Sequence, residues 1–540
     1  MKEGFRQSMA WLHTWSGLLV GWVLLAIFVT GTASYFRSEI TLWMQPELQA
    51  ARTVGSDGGD VVALAQQKLQ AQAPQARTWF IEPPDGRDPS LQIAWRAAGK
   101  KGAFERETLD AASGDTLQAR DTRGGEFFYR FHFQLSLPPL WGRWIVGICA
   151  MSMLVAIISG VITHRRIFKD FFTFRPKKGQ RSWLDAHNAS GVLALPFHLM
   201  ITYTGLVTLM YLYQPWGITT AYQGDRETYF NEVAEKSTPT EASGRPAALT
   251  PLSPLVAQAL KSWEGGRIGR ITVDYPNDAN ATVRIARHDG DRISTHGDEI
   301  IFNGITGQEI SRSTEAGGAK LLHGTFYGLH IARFAEPLLR WLFFLAGLTG
   351  CAMVATGLLL WSVARTAQLR KSAQPGIGLR LVNQLNIAAV AGLPLAIAVF
   401  FWANRLLPFD LPERADFEVK LFFVAWLLVP FYAGLRSPQQ AWKEVTGAAA
   451  ALLFLLPLLN ALTTDTHLGV TLLAGQWARA SFDLVLLALG GVLGFTAWKL
   501  GHWQPVARQK PVVPKEAAAG SNAAAAGNSM ETTVLQEEAL

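Results

Sequence analysis

Cysteine is almost missing from this chain. Two occur in 540 residues, Cys149 and Cys351, and both fall inside long apolar runs. No CxxC or CxxCH is present, which leaves zinc ribbons, thioredoxin-like exchange and covalently attached c-type haem without support. Nucleotide loops are missing as well. There is no GxGxxG and no Walker sequence, and Gly376 and Gly378 of PGIGLR are too few for a dinucleotide turn. Carboxylates are rare in the first four apolar runs, so groups that couple ions to transport are lacking and a transporter ranks last. The formal net charge is +7, and short basic loops account for it. A basic balance of that origin implies no nucleic acid partner.

What the chain has is apolar length. Eight blocks, near 11–36, 141–163, 187–213, 338–362, 381–402, 419–436, 446–463 and 480–500, are long or apolar enough to be spanning helices. The first exceeds the apolar core of a signal peptide, although GTAS could pass for a cleavage site, and it reads as retained. Residues 165–181 carry seven Lys and Arg against one Asp, which makes this loop cytoplasmic by the positive-inside rule. Lys2 and Arg6 at the start agree, as do Arg365, Arg370, Lys371 and Arg380 after the fourth block. Both termini are therefore expected inside. The predicted order is a start and first helix over 1–36, an outer segment over 37–137, a second helix over 138–164 and a basic cytoplasmic loop over 165–186. A third helix over 187–213, an outer segment over 214–337, a fourth helix over 338–364 and a four-helix extension over 365–500 follow. The tail, 501–540, is rich in Ala, Gly and Ser and reads as disordered and cytoplasmic.

The first and third helices repeat one another. His13-x3-Gly17 is followed after twelve residues by Thr30-Gly31, and His187-x3-Gly191 after twelve residues by Thr204-Gly205. Trp11-Leu12 and Trp183-Leu184 open the two motifs. Tyr-x2-His-x6-Pro precedes the second and fourth helices, as Tyr129, His132, Pro139 and as Tyr327, His330, Pro337. Arg143-Trp144 and Arg340-Trp341 follow, and Gly160 and Gly357 lie at one offset from those arginines. Each outer segment has a helix-like stretch, then strand-like runs such as LQIAW and ATVRIARH. Each also has a turn, Asp110-AASG-Asp115 or Asn303-GITG-Gln308. The pattern predicts a tandem parallel repeat over about 5–365, with its pseudo-axis along the membrane normal.

These features, the H-x3-G…TG helix, the Gly turn of the outer segment and the FY-x2-H entry, resemble the PepSY-associated transmembrane family. That resemblance implies an α-helical polytopic membrane protein of about eight transmembrane helices, with two periplasmic α+β PepSY-like segments in a helix–PepSY–helix tandem repeat. It also implies the bacterial inner membrane, where the family includes reductases of iron-loaded siderophores.

A histidine in a spanning helix is costly and usually has a partner or a ligand. Gly17 lies one turn from His13 and Gly191 one turn from His187, leaving room for a flat macrocycle against the backbone. Gly31 and Gly205, five turns on, fall on the same lines. Two such helices facing each other would offer one imidazole from each side, as a bis-histidine b-type haem requires. The plainer reading is that each histidine hydrogen-bonds a neighbouring helix or a headgroup. His132 and His330 form a second duplicated pair. A straight helix from His164 back to His132 would run about 48 Å, past the membrane, but Pro139 and Pro337 allow the preceding stretches to fold back over the bundle. Under that reading the pair holds an outer haem; otherwise both sit in amphipathic surface helices. His198, whose counterpart is Leu24, either joins His132 or His330 as an outer ligand or stands between two haems. His323 is a lesser ligand candidate, His164 reads as interfacial, and His288, His296, His467 and His502 show no pattern. Arg6, Arg143 and Arg340 are helix-end cations that either meet haem propionates or snorkel.

The leading expectation is therefore electron transfer through two haem b groups, with haem iron ligated by His13, His187, His132 and His330. Family resemblance implies ferric siderophore, or its periplasmic binding proteins, as the outer partner. The electron donor, a quinol or a cytoplasmic reductase, must be separate, and membrane lipid surrounds the helices. A different class of function is a non-enzymatic protein whose PepSY-like segments bind or regulate a periplasmic peptidase or transport complex, with no cofactor.

Overall fold

The computed structural model describes residues 4–50, 59–97, 104–164, 167–171, 173–233, 241–295, 298–313, 317–369 and 376–502. Lys2, Arg165, Arg166, His296, Arg370, Lys371 and the tail from 503 lie outside these residues. The first passage runs through α1 (Phe5–Ser34), α2 (Arg37–Met44), α3 (Gly59–Gln72), three strands, α4 (Gly124–Gln134) and α5 (Pro139–Thr163). The strands are β1 (Thr78–Glu82), β2 (Leu91–Arg96) and β3 (Glu105–Leu109). The second passage runs through α6 (Gln180–Leu193), α7 (Leu195–Thr208), α8 (Leu252–Ser262), four strands, α9 (Gly318–Ile331) and α10 (Pro337–Leu369). Its strands are β4 (Ile268–Asp274), β5 (Thr282–Arg287), β6 (Glu299–Asn303) and β7 (Glu309–Ser313). Four more long helices follow: α11 (Ile377–Leu406), α12 (Arg414–Leu435), α13 (Pro438–Thr463) and α14 (Trp477–His502).

Among the described residues seven helices, α1, α5, α10 and α11 to α14, are long and apolar enough to cross a membrane. This is the architecture of a multi-pass membrane protein. The expected third span, 187–213, is not continuous: α6 and α7 pass the same test only together and meet at 69°. Pro196 explains the break. It stands at the start of α7, where it has no N–H to bond back to the preceding turn.

The two outer segments are not separate sheets. All seven strands among the described residues form one antiparallel sheet in the order β3-β2-β1-β4-β5-β6-β7. The join is β1 against β4, with Thr78 opposite Asp274, Trp79 opposite Val273 and Ile81 opposite Ile271. Strand side chains alternate between faces. One face carries Trp79, Ile81, Leu91, Ile93, Ile271, Val273, Val283 and Ile285, all fully buried under α3 and α8. Burying one such side chain stabilises a fold by about 1.5–3 kcal/mol, so the shared core holds the two halves together. The expected turns are present and alike. Asp110 Oδ1 accepts from the N–H groups of Ala112 and Ser113, and Asn303 Oδ1 from those of Ile305 and Thr306. Gly114 (φ +76°) and Gly307 (φ +70°) take the left-handed positions that a residue without Cβ adopts without strain.

In the membrane part, α1 packs on α5 and α10, and α10 also packs on α6. Helices α11 to α13 pack together beside α1, with one π-helical turn at Ala388–Gly392. At one end of this group lies a buried polar network. Arg414 and Glu418 pair one turn apart and are 1% and 0% exposed. Asn404 Nδ2 donates to Glu418 (2.8 Å), and Arg405 Nε donates to Asn460 Oδ1 (2.9 Å).

Candidate functional site

Helices α1 and α6 bring His13 and His187 together, with ring centroids 6.1 Å apart and planes at 69°. His13 Nδ1 lies 2.9 Å from the Ala156 carbonyl of α5, and His187 Nδ1 lies 2.9 Å from the Met353 carbonyl of α10. A carbonyl only accepts, so each Nδ1 carries the hydrogen and each Nε2 keeps its lone pair. One turn on from those carbonyls stand Gly160 and Gly357. A Cβ on either would come within 3.1 Å of the imidazole Cε1. The repeated glycines thus belong to the wall on which each ring rests.

The second pair meets where α4 and α9 fold back. Leu135 (φ +55°) and Ala332 (φ +56°) end those helices in the left-handed conformation. Pro139 and Pro337 then begin α5 and α10. The fold-back places the His132 and His330 ring centroids 5.9 Å apart, with planes at 29°. His132 Nδ1 donates to the Ile27 carbonyl (2.8 Å). His330 Nδ1 lies 3.1 Å from Thr204 Oγ1, a hydroxyl that itself donates to the Met200 carbonyl and so accepts from the ring. Both histidines lie outside the spanning helices. Burial pushes both imidazoles below the usual histidine range, and His132 beside it pushes His330 further. Neutral rings result, each with one lone pair.

The model of the PepSY-associated TM region matches residues 10–364, which include all five candidate histidines. The chain belongs to the PepSY-associated transmembrane family. An uncharacterized protein of Pseudomonas aeruginosa is 27% identical over 371 residues, covering 66% of this chain and 90% of that relative. Helices α11 to α14 lie beyond the part matched by the family model.

Each pair in this PepSY-associated protein presents two imidazoles with ring centroids 6.1 or 5.9 Å apart. The glycines at Gly31 and Gly205 bear on the outer pair rather than the inner one. A Cβ at Gly31 would come within 2.5 Å of His132 Nδ1, and one at Gly205 within 2.9 Å of His330 Cε1. At Gly17 a Cβ would meet no atom within 4 Å, whereas at Gly191 it would meet Met353 Sδ at 3.2 Å. Neutral imidazole nitrogens suit a transition metal such as haem iron, so donor type and close pairing fit a group held by two histidines, while the glycines make room for the rings themselves.

His198 belongs to neither pair. It is fully buried, with Nδ1 3.3 Å from the Gly191 carbonyl exposed by the α6–α7 break and Nε2 3.2 Å from Thr349 Oγ1. Both ring nitrogens have protein partners, and His132 already faces His330. The arginines differ from one another too. Arg340 Nη1 donates to Glu39 (2.9 Å) and Arg6 Nε to the Thr163 carbonyl (2.9 Å). Arg143 lies 5.5 Å from the Phe133 ring centre. His164 Nε2 lies 3.1 Å from Asn188 Nδ2.

Above the outer pair lies a cavity of about 1320 Å³ that sequence reasoning did not find. His132, His330, Tyr129 and Tyr327 form part of its lining, and the polar face of the sheet contributes Gln92, Arg270, Thr272 and Arg284. Strand alternation carried that signal, because these residues interleave with the core set. Nine arginines and six carboxylates line the cavity, and seven of those arginines are ion-paired with carboxylates of the lining or just behind it. His288, which had no sequence pattern, also lines it, with Nε2 3.2 Å from Asp85 Oδ2.

Burial alone would raise the Asp85 carboxyl, but His288 and the N–H groups of Asp88 and Arg87 outweigh it and hold the group at about 2. A depressed carboxylate contributes stability above its ordinary value of 3.8 and loses it as pH falls toward 2. Acid melting of the purified protein over that window should therefore be shallower in Asp85→Asn than in the parent. Equal slopes would show that Asp85 does not contribute.

Proposed function

We propose that this protein carries electrons across the bacterial inner membrane and reduces ferric siderophore in the periplasm, releasing Fe(II). Its termini are cytoplasmic, and its first ten long elements form a tandem parallel repeat about an axis along the membrane normal. The observation that carries this reading is the presence of two facing imidazole pairs, each ring tethered through Nδ1. From His13 to Ile27, the partner of His132, α1 rises about 21 Å, so the pairs stand toward opposite faces of a hydrocarbon core of about 30 Å.

His13 and His187 would hold one haem b, and His132 and His330 a second. Haem b supplies a one-electron iron couple when bound. The residues do the rest: backbone carbonyls and the Thr204 hydroxyl fix the tautomers, glycines make room for the imidazoles, and apolar helices exclude water between the pairs. The arginine-rich cavity would hold an anionic ferric chelate beside the outer pair. One electron per iron comes from a separate donor, a quinol or a cytoplasmic reductase. Reduction loosens the chelate because hard oxygen ligands favour the higher charge of Fe(III).

Pyridine haemochrome analysis of the purified protein should give two non-covalent haems per chain, and the protein should reduce external ferric chelates. A colourless, folded preparation from haem-replete cells would count against the proposal. Gly205→Leu should halve the haem content, because its side chain occupies the place of the His330 ring. Gly217→Leu, where a Cβ meets nothing within 4 Å, should leave the content unchanged. Equal haem in both variants would remove Gly205 from the site.

A further inference from the structure

We propose that the C-terminal helices beyond the matched family region are a positioning unit for His132, acting through α4, with Phe127 as the main positioning residue. This rests on the haem reading above and assigns a role to α11 and α12 within it.

The outer face of α4 is aromatic. The Phe127 ring lies 4.9 Å from that of Phe400 on α11 and 5.0 Å from that of Phe422 on α12. Phe131, directly before His132, packs on Phe423 of α12 at 5.8 Å. Phe127 and Phe131 are 4% and 2% exposed. The strand of chain leading into α4 is tied to the same helices. Thr122 Oγ1 donates to Glu418 (2.5 Å), and Arg414 Nη1 donates to the Asp121 carbonyl (2.9 Å). Both acceptor and donor belong to the buried polar network, whose Arg405 also donates to the Trp43 carbonyl of α2 (2.6 Å). Helix α2 packs on α4, so the clamp reaches α4 from two sides.

Helix α9, which carries His330, has no such cover among the described residues. Leu321 and Leu322 on it are 51% and 56% exposed. It is held instead by the loop between β5 and β6, where Thr295 N–H donates to the Gly324 carbonyl (3.1 Å), and by α7, whose Tyr203 ring lies 5.6 Å from that of Phe326. The two outer histidines thus hang from different supports. Phe127 stands five residues before His132, and its ring, wedged between α11 and α12, limits the sideways travel of the helix that carries the imidazole, because core side chains are packed to crystal density.

The test uses the full chain purified with its haem. Hydrogen exchange of 124–134 and 318–331 is compared in the parent, Phe127→Ala and Phe127→Leu, alongside the low-spin haem resonance spectrum and the midpoint potentials. Phe127→Ala should speed exchange in α4 at least roughly tenfold and leave α9 unchanged. It should also shift the resonance and potential of one haem only, and Phe127→Leu should restore them. Equal acceleration in both helices, or unmoved haem signals, would overturn the proposal. If Phe127→Ala does not fold, Thr122→Val is read by the same three measurements and the same criteria. A parent without haem would sink the electron-transfer reading, while α4 exchange that Phe127→Ala leaves unchanged would sink the clamp alone.

Discussion

His13→Ala and His187→Ala should each remove one haem of two, and it should be the same one. Each change leaves that site with a single imidazole on one side. The rings stand 6.1 Å apart and are tethered to Ala156 and Met353. Neither His132 nor His330 can substitute, because both are tied to the far end of α1 and α7. The double variant should lose little more than either single one, since residues acting as a unit are non-additive. Haemochrome content and the reduced-minus-oxidised spectrum read this directly. Two separate, additive losses would mean that the histidines serve different sites.

His330→Ala should separate binding from delivery. Its ring lines the cavity and faces His132, whereas His13 of the inner pair stands on α1 fourteen residues before Ile27, the partner of His132. The inner haem should remain bound and reducible by the physiological donor. Reduction of an external ferric chelate should fall by more than the roughly 10–100-fold that losing an outer-shell partner of a metal ligand costs. Helix packing should survive, because α9 is held by the Thr295 contact and by the chain around it. A parental rate with external ferric siderophore would take His330 off the path.

Much of this arrangement was readable in the chain, and what was readable was local or duplicated. Spacing alone paired His13 with His187 and His132 with His330. The Asp110 and Asn303 turns were visible because an Asx residue and a glycine sit at matching offsets. The fold-back at Pro139 and Pro337 followed from the ring of proline. Besides the cavity, three things were misread or missed. Gly31 and Gly205 lie on the line of the inner histidines along the helix, yet they bear on the outer ones, because a helix line has two ends and the fold-back brings α4 and α9 to the further one. Span 187–213 breaks at Pro196, a residue that spanning helices tolerate only when freed carbonyls find partners, and His198 supplies that partner at Gly191. The pairing of β1 with β4 had no local sign at all, since two separate sheets and one shared sheet use the same alternation.

That shared sheet sets an order on biosynthesis. Thr78 and Asp274, bonded across the join, are 196 residues apart. At about 5–20 residues per second the wait between them is roughly 10–40 s. During that interval the first three strands stand with the β1 edge open, and an open edge is a template for pairing with other chains. Helix α5 and the α6–α7 pair must be made before β4 can close it. A ribosome that stalls after α5 would leave a sticky half-sheet. Maturation of this protein is therefore gated by the synthesis of its second half.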